Sequence, residues 1–392
     1  MDWMEKELER LNDASLERLL RGSAATPQLP GYTLRGERLL LNLASNDYLG
    51  LAQHPAIIDQ MRETLLAEGS GSGASRLVTG NRWPYIVLEE RLSRWQGSEA
   101  ALVFANGYMA NSGVISALVG RNDVVFSDRF NHASIVDGIG LSRAEHARYR
   151  HNDMEHLEAL LNKHQDKRRK LIVTDAVFSM DGDAASLVKL AELKRKYGTM
   201  LMVDEAHSGG IYGECGRGLC NELGIQHEVD IHMGTFSKSF GVYGAYVCGS
   251  RTLIRWLVNK ARPLIYSTAL PPSIVTGIAA ALSLVEAEQW RRERLFSLSA
   301  SFRSRLLHAG FKVGTGNSPI VPVIVGDNEA VLRFSKALER KGIEAVAIRP
   351  PTVPEGTARI RFSLTAAHSD KEVNNAAEII CATGHQLGLI RR

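Results

Sequence analysis

Leu201-Met-Val-Asp-Glu-Ala-His207 is an apolar run that ends abruptly in acid, small residue and histidine. A run of this length, Met- and Val-bearing and closed by polar residues, predicts a buried strand leading into a loop. Four similar runs flank it: Ala101-Leu-Val-Phe104, Asp123-Val-Val-Phe126, Leu171-Ile-Val-Thr174 and Ala245-Tyr-Val-Cys248, with longer helical patterns between them. Strands alternating with helices predict a mainly parallel sheet covered by helices, an α/β fold. Such sheets hold ligands beyond the carboxyl ends of their strands. Thr174-Asp175, Asp204 to His207 and Thr235 to Lys238 all fall at such ends.

The 392-residue length exceeds what one core usually supports, so a large and a smaller domain are expected. Residues 1–45 read as an N-terminal arm, with Leu8, Leu11, Leu19 and Leu20 on helical spacings before the turn at Pro30-Gly31. Residues 46–285 form the large domain. Residues 286–392 form a smaller α+β domain that opens on a charged helix, Glu286 to His308, stopped by Gly310. A hydrophobic fraction of 44%, a charged fraction of 23% and a net charge of +4 describe an ordinary globular chain, with no polyanion-binding surface. No apolar stretch approaches a spanning helix and the start is charged, so neither a membrane nor a secretory route is expected, and the protein is read as cytoplasmic. Cys215, Cys220, Cys248 and Cys381 lack CxxC spacing, which suits reduced thiols. His207, Cys215 and Cys220 match no zinc-finger pattern, and no metal is expected.

The chemistry is carried by Gly234-Thr-Phe-Ser-Lys-Ser-Phe-Gly241 together with Asp204-Glu-Ala-His207. A lysine amine condenses with an aldehyde cofactor, and a carboxylate can hold a pyridine nitrogen protonated so that the ring accepts electrons. Lys238 and Asp204 in this pattern therefore point to pyridoxal 5'-phosphate. Its phosphate needs backbone N–H donors, and Asn106-Gly-Tyr-Met follows a strand and opens a helix, making Gly107 and Tyr108 candidates for that cup. Thr235 and Ser237 would add hydroxyls. His132 could place its ring against a planar cofactor, and Ser179 and His207 could hydrogen-bond a phenolic oxygen. Gly69-Ser-Gly-Ser-Gly-Ala-Ser75 lacks the Walker lysine pattern and more readily lets backbone approach a substrate, with Ser75 near its side chain. Arg349, stiffened by two following prolines, suits a substrate carboxylate.

Leu43-Ala-Ser-Asn-Asp-Tyr-Leu-Gly-Leu51, Asp204 to His207, Thr235-Phe-Ser-Lys238 and Ala347-Ile-Arg-Pro-Pro-Thr-Val-Pro-Glu-Gly-Thr-Ala-Arg359 stand in the order seen in the α-oxoamine synthases, and the chain resembles that family from Arg21 to about His368. The resemblance implies a fold-type I homodimer with active sites shared between subunits, in which Lys238 binds the cofactor, Asp204 pairs with its ring nitrogen and His132 stacks on the ring. It assigns Gly107, Tyr108, Ser179, His207 and Thr235 to the cofactor, and gives Thr268 to the neighbouring subunit's phosphate. Arg21, Asn46, Arg349 and Thr352 match substrate positions. Within the family, Ile348 to His368 looks most like the branch that condenses L-alanine with pimeloyl-CoA or a pimeloyl carrier protein in biotin biosynthesis. A branch using glycine and a short acyl-CoA is the neighbouring alternative, and a noncatalytic partner subunit is a more distant one. Two departures stand out: Ser-Gly-Gly after His207, and the bulky Val242-Tyr243 after Gly241.

Overall fold

A computed structural model describes residues 1–391. Contacts gather the chain into two units, one of Leu51–Phe178 with Ala184–Arg292, the other of Met1–Gly50, Ser179–Asp183 and Glu293–Arg392. The first unit carries a seven-stranded sheet. Its strands, in chain order, are β1 (Ala100–Phe104), β2 (Val124–Asp128), β3 (Glu145–Tyr149), β4 (Lys170–Asp175), β5 (Met200–Asp204), β6 (Ile231–Thr235) and β7 (Ala245–Gly249). They lie in the order β1-β7-β6-β5-β4-β2-β3. Every pair from β6 to β3 is parallel, and only β7 runs against its neighbours. The expected α/β class with a mainly parallel sheet is therefore the observed one.

The five apolar runs all became strands, because each is buried on both faces. Glu145-His-Ala-Arg-Tyr149 gave no such signal: it forms the edge strand, where only Ala147 and Tyr149 are buried. Side chains from β1, β2, β4, β5, β6 and β7 pack with the helices α1 (Gly107–Leu118) and α2 (Ala133–Ser142) in one core, among them Phe104, Val114, Ile115, Ile135 and Met202. The carboxyl ends of β4, β5 and β6 carry Asp175, Asp204 and Thr235, and Asp175 is the direct cross-strand partner of Asp204. Parallel register thus sets two buried carboxyl groups side by side.

The second unit combines a three-stranded antiparallel sheet, ordered Ile320–Gly326, Ala358–Ser363, Ala347–Ile348, with a small four-stranded one. In the latter, Arg38–Asn42 pairs in parallel with Ile343–Glu344. This pairing groups the first fifty residues with the C-terminal hundred. The boundaries expected at 45 and 285 compare with divisions after Gly50 and Arg292, the second falling inside the helix Gln289–His308. Leu19 and Leu20, expected on helical spacings, lie beyond the helix Asp2–Asp13, which ends before Ser15 takes a left-handed conformation (φ 56°). Both side chains are exposed. Among the described residues, no helix is long and apolar enough to cross a membrane.

His368 closes the second unit. Its ring is fully buried, with Nε2 3.3 Å from the Gly31 carbonyl and Nδ1 accepting the Thr365 N–H at 3.4 Å, a pattern that suits the neutral imidazole. Burial pulls its pKa from 6.5 down to about 4. The unfolded chain therefore binds a proton that the folded one refuses between those values, and stability falls as pH drops through this window, by roughly 3 kcal/mol in total. Denaturant titrations of wild type and His368→Asn between pH 7 and pH 4 are expected to show a shallower pH slope in the variant. Identical slopes would mean that other groups govern acid unfolding.

Candidate active site

Asp204 ends β5 almost completely buried, and each oxygen is held by a donor: Oδ1 accepts the Ala206 N–H at 2.8 Å and Oδ2 the Asn111 side-chain amide at 2.7 Å. The same Asn111 amide donates to Ser134 Oγ at 2.9 Å. An acid taken from water needs such partners. Neighbouring Asp175 accepts the His132 backbone N–H at 2.8 Å, and burial, with the Asp204 charge second, pushes its carboxyl well above the usual carboxylate range. Two adjacent acids are thus differentiated by their surroundings.

His132 caps α2, its Nδ1 accepting from Ser134 N at 3.2 Å and lying 2.8 Å from Ser134 Oγ. Loss of water around the imidazole lowers its pKa; the Asp204 charge opposes this and Lys238 adds to it. A neutral ring with Nδ1 as acceptor follows. Its flat face then carries no net charge, as stacking on an aromatic group favours.

Lys238 stands in the loop after β6, its Nζ 2.8 Å from His207 Nε2. On either side Phe236 and Phe240 are fully buried and meet edge to face at 5.4 Å between ring centroids, so alternate residues anchor the loop while Lys238 stays partly accessible. Thr235 Oγ1 donates to the Gly244 carbonyl at 2.8 Å and accepts the Ser237 N–H at 3.1 Å, closing the loop base. Ser239 Oγ donates to the Gly209 carbonyl at 2.7 Å, which ties the lysine loop to the turn bearing His207. One departure falls at Gly209, where a Cβ would lie 3.0 Å from the Tyr246 hydroxyl and 3.1 Å from the Glu205 carbonyl. The other is explained by Tyr243, whose hydroxyl accepts from the Asn106 side chain at 2.8 Å.

Asn106 in turn caps α1, accepting the Met109 N–H at 2.9 Å. The preceding amides of Gly107 and Tyr108 have no acceptor within the helix and make up the positive end of its dipole. Gly107 is needed close against the sheet, since a Cβ would lie 3.1 Å from Met233 Cε. Tyr108 is exposed and its hydroxyl bonds to Asp137, which raises its pKa. Ser75 and Thr268 form an antiparallel bridge, so the glycine-rich loop and the segment before Pro271 run side by side, with Thr268 exposed. An amine, a buried carboxylate, a neutral flat ring and a helix amino terminus are a donor set that fits pyridoxal phosphate.

The remaining expected residues belong to the second unit. Asn46 Oδ1 accepts from the Tyr48 hydroxyl at 3.2 Å, which accepts from Arg361 at 3.2 Å, and Arg361 also donates to the Ser179 carbonyl. Arg349 directs its guanidinium onto backbone carbonyls of the arm, those of Ser15 and Glu17, and Thr352 Oγ1 accepts from Arg18 at 3.1 Å. Arg21 is ion-paired with Glu339 at 3.1 Å. Sequence reading missed Asn111, Ser134 and Arg361, and placed Asp175 at a ligand-facing strand end without giving it a role. Asn111 sits one helical turn after Gly107, on the same face as the phosphate cup, and that spacing was the available signal.

A family model for aminotransferase class I and II matches residues 38–380, and the chain belongs to that family. An Anaeromyxobacter dehalogenans protein named 8-amino-7-oxononanoate synthase is 50% identical over 384 residues, covering 97% of this chain and 95% of that one. Among solved structures, a serine palmitoyltransferase variant from S. paucimobilis with PLP and myriocin bound has a TM-score of 0.94 at 32% identity, covering 99% of this chain and 98% of that one. An 8-amino-7-oxononanoate synthase from Francisella tularensis has a TM-score of 0.78 at 29% identity, covering 88% and 98%. These matches bear out the resemblance drawn from the motifs, the α/β fold and pyridoxal phosphate as the cofactor.

Asn111→Leu removes the amide from Asp204 Oδ2 and Ser134 Oγ together, leaving buried acceptors unpaired at a cost of about 1–3 kcal/mol. Denaturant unfolding and steady-state kinetics are expected to show lower stability and at least tenfold slower turnover, on the order of 1.4 kcal/mol. Unchanged turnover would mean that the Ala206 amide alone positions the carboxylate.

Proposed function

We propose that the chain condenses L-alanine with the thioester carbonyl of pimeloyl-CoA or a pimeloyl carrier protein, releasing the thiol and carbon dioxide and giving 8-amino-7-oxononanoate for biotin biosynthesis. The observation that carries this reading is the Lys238 amine beside His207, in the same set as a buried, doubly hydrogen-bonded Asp204. Near full-length similarity to a protein named 8-amino-7-oxononanoate synthase supports this choice of product. When bound, pyridoxal phosphate supplies an aldehyde for the amino group and a ring that withdraws electrons from the α-carbon. Gly107, Tyr108 and Thr235 would hold its phosphate, Asp204 would keep its ring nitrogen protonated, and Ser179 and His207 would address its phenolic oxygen.

Lys238 would hold the cofactor at rest and, once displaced by alanine, take the α-proton. Its short contact with His207 gives the amine a neighbour able to accept or return a proton. His132 would lie against the ring as a neutral face. Arg21, Asn46, Ser75, Arg349 and Thr352 would contact the substrates. For Arg349 to bind a carboxylate, the Ser15 and Glu17 carbonyls must first give way, and a charged acceptor forms the stronger pair. The active unit is read as a cytoplasmic homodimer, with exposed Thr268 reaching the neighbouring subunit's phosphate.

The test is thiol release by the cofactor-loaded protein from pimeloyl-CoA and acetyl-CoA, each with L-alanine or glycine. Release that needs both alanine and the pimeloyl donor is expected; preference for glycine and acetyl-CoA would move the chain to the neighbouring branch. Lys238→Ala is expected to remain folded by circular dichroism and lose about 10²–10⁴-fold or more in turnover, the usual worth of a positioned acid–base group. Appreciable turnover in that variant would remove the lysine from its role.

A further inference from the structure

Immediately after Asp204, Glu205 turns away into a buried cluster with Cys220, in the short helix Leu219–Glu222, and His232 on β6. The three are 1%, 0% and 3% exposed, and one oxygen, sulfur and nitrogen from them lie within 4.8 Å of one another. Glu205 Oε1 is occupied, accepting Cys220 N at 3.0 Å and Ser208 Oγ at 3.2 Å. Oε2 has no hydrogen-bond partner among the described residues. His232 Nε2 lies 2.9 Å from the Gln226 carbonyl, which fixes the N–H there and leaves a lone pair on Nδ1. Nδ1 likewise has no hydrogen-bond partner among the described residues and lies 3.5 Å from Glu205 Oε2.

A carboxylate oxygen facing a ring nitrogen inside a protein requires something positive between them, a proton or a metal ion. The spacing suits a metal ion: zinc binds imidazole nitrogen and carboxylate oxygen at about 2.0–2.2 Å, so the edge of a tetrahedral site is roughly 3.4 Å. Donation of the second ring nitrogen to a backbone carbonyl is the usual support of a metal-bound histidine. The chain also makes room for the carboxylate, since a Cβ on Gly218 would fall 2.3 Å from Glu205 Oε1.

We propose that Glu205, Cys220 and His232 form a buried structural site for a divalent transition metal of the zinc class. Thiolate, imidazole and carboxylate together select such an ion over magnesium or calcium. On binding, the Cys220 S–H bond breaks, its proton goes to solvent and a sulfur–metal bond forms, with no change of oxidation state. Tyr246, whose buried hydroxyl has no partner among the described residues and feels the Glu205 charge, offers a further oxygen for the fourth position, directly or through water. The ion would cross-link the turn that follows Asp204 to the strand that leads into Lys238. Sequence spacing could not show this site, because His232 enters it from a neighbouring strand.

Elemental analysis of the untagged, cofactor-loaded protein, before and after incubation with zinc and gel filtration, tests the proposal without reference to turnover. Stoichiometric zinc is expected, lost in Cys220→Ser and His232→Leu; cobalt-exchanged protein is expected to show a thiolate charge-transfer band that Cys220→Ser abolishes. Folded wild-type protein that retains no zinc after incubation would overturn the site and leave a proton shared by Glu205 and His232. Zinc content unchanged in both variants would also overturn it, placing the ion elsewhere. Should His232→Leu fail to fold, the wild-type measurement and the cobalt spectrum of Cys220→Ser decide the matter.

Discussion

The fold is organised around a carboxylate that has been taken out of water. Burying an unpaired charge costs several kcal/mol, so Asp204 is tolerable only because Ala206 N and the Asn111 amide reach its two oxygens. Those donors come from different places, one from the turn that the acid begins and one from α1 across β5. Asn111 also bonds Ser134, which supports the His132 cap. Carboxylate and ring are therefore positioned by one hydrogen-bonded set, which rests on the helix that Gly107 opens. The parallel register that puts Asp175 beside Asp204 makes the acid pair intrinsic to the sheet. Burial raises the Asp175 carboxyl, and the His132 amide fixes one of its oxygens.

The lysine loop obeys a different constraint. A side chain that must be reachable needs a backbone that does not move, and here rigidity comes from its neighbours two residues away. Phe236 and Phe240 are buried with Trp95 and Tyr246 in edge-to-face and tilted contacts, while serine and threonine hydroxyls close the loop base. Bulk at Val242-Tyr243 fits this arrangement, because the Tyr243 hydroxyl reaches the Asn106 cap instead of crowding the core. The lysine loop and the amino terminus of α1 are thereby joined by the Asn106–Tyr243 hydrogen bond.

Strand ends were legible in the sequence because a buried parallel strand announces itself as an apolar run and its polar terminator marks the exit. Asp204, Lys238 and the Asn106-Gly-Tyr segment could be located in that way. The edge strand Glu145–Tyr149 could not, since a half-exposed strand at an edge mixes charge with burial. Asn111 was hidden for another reason. It lies inside a helix, where polar residues are usually on a solvent face, and only the tertiary position of β5 reveals that its amide points at a buried acid. The arm shows the limit of periodicity: Leu19 and Leu20 keep helical spacing beyond the point where Ser15 has left the helix.

Arg349 exposes a difference between recognising a residue and knowing its state. Residue type and the two following prolines lead one to expect a guanidinium placed for a carboxylate, yet it is engaged by the carbonyls of Ser15 and Glu17, while Thr352 receives Arg18 from the same arm. Carbonyls are weaker acceptors than a carboxylate, so these contacts hold the fork in a defined direction and yield to a charged ligand. Partial burial and, after it, nearby Arg18 disfavour the charge on Arg349, a cost that pairing with an incoming carboxylate would offset. An arm that satisfies the arginine with neutral acceptors therefore preserves its appetite for an anion, which an acidic side chain in the same place would have removed.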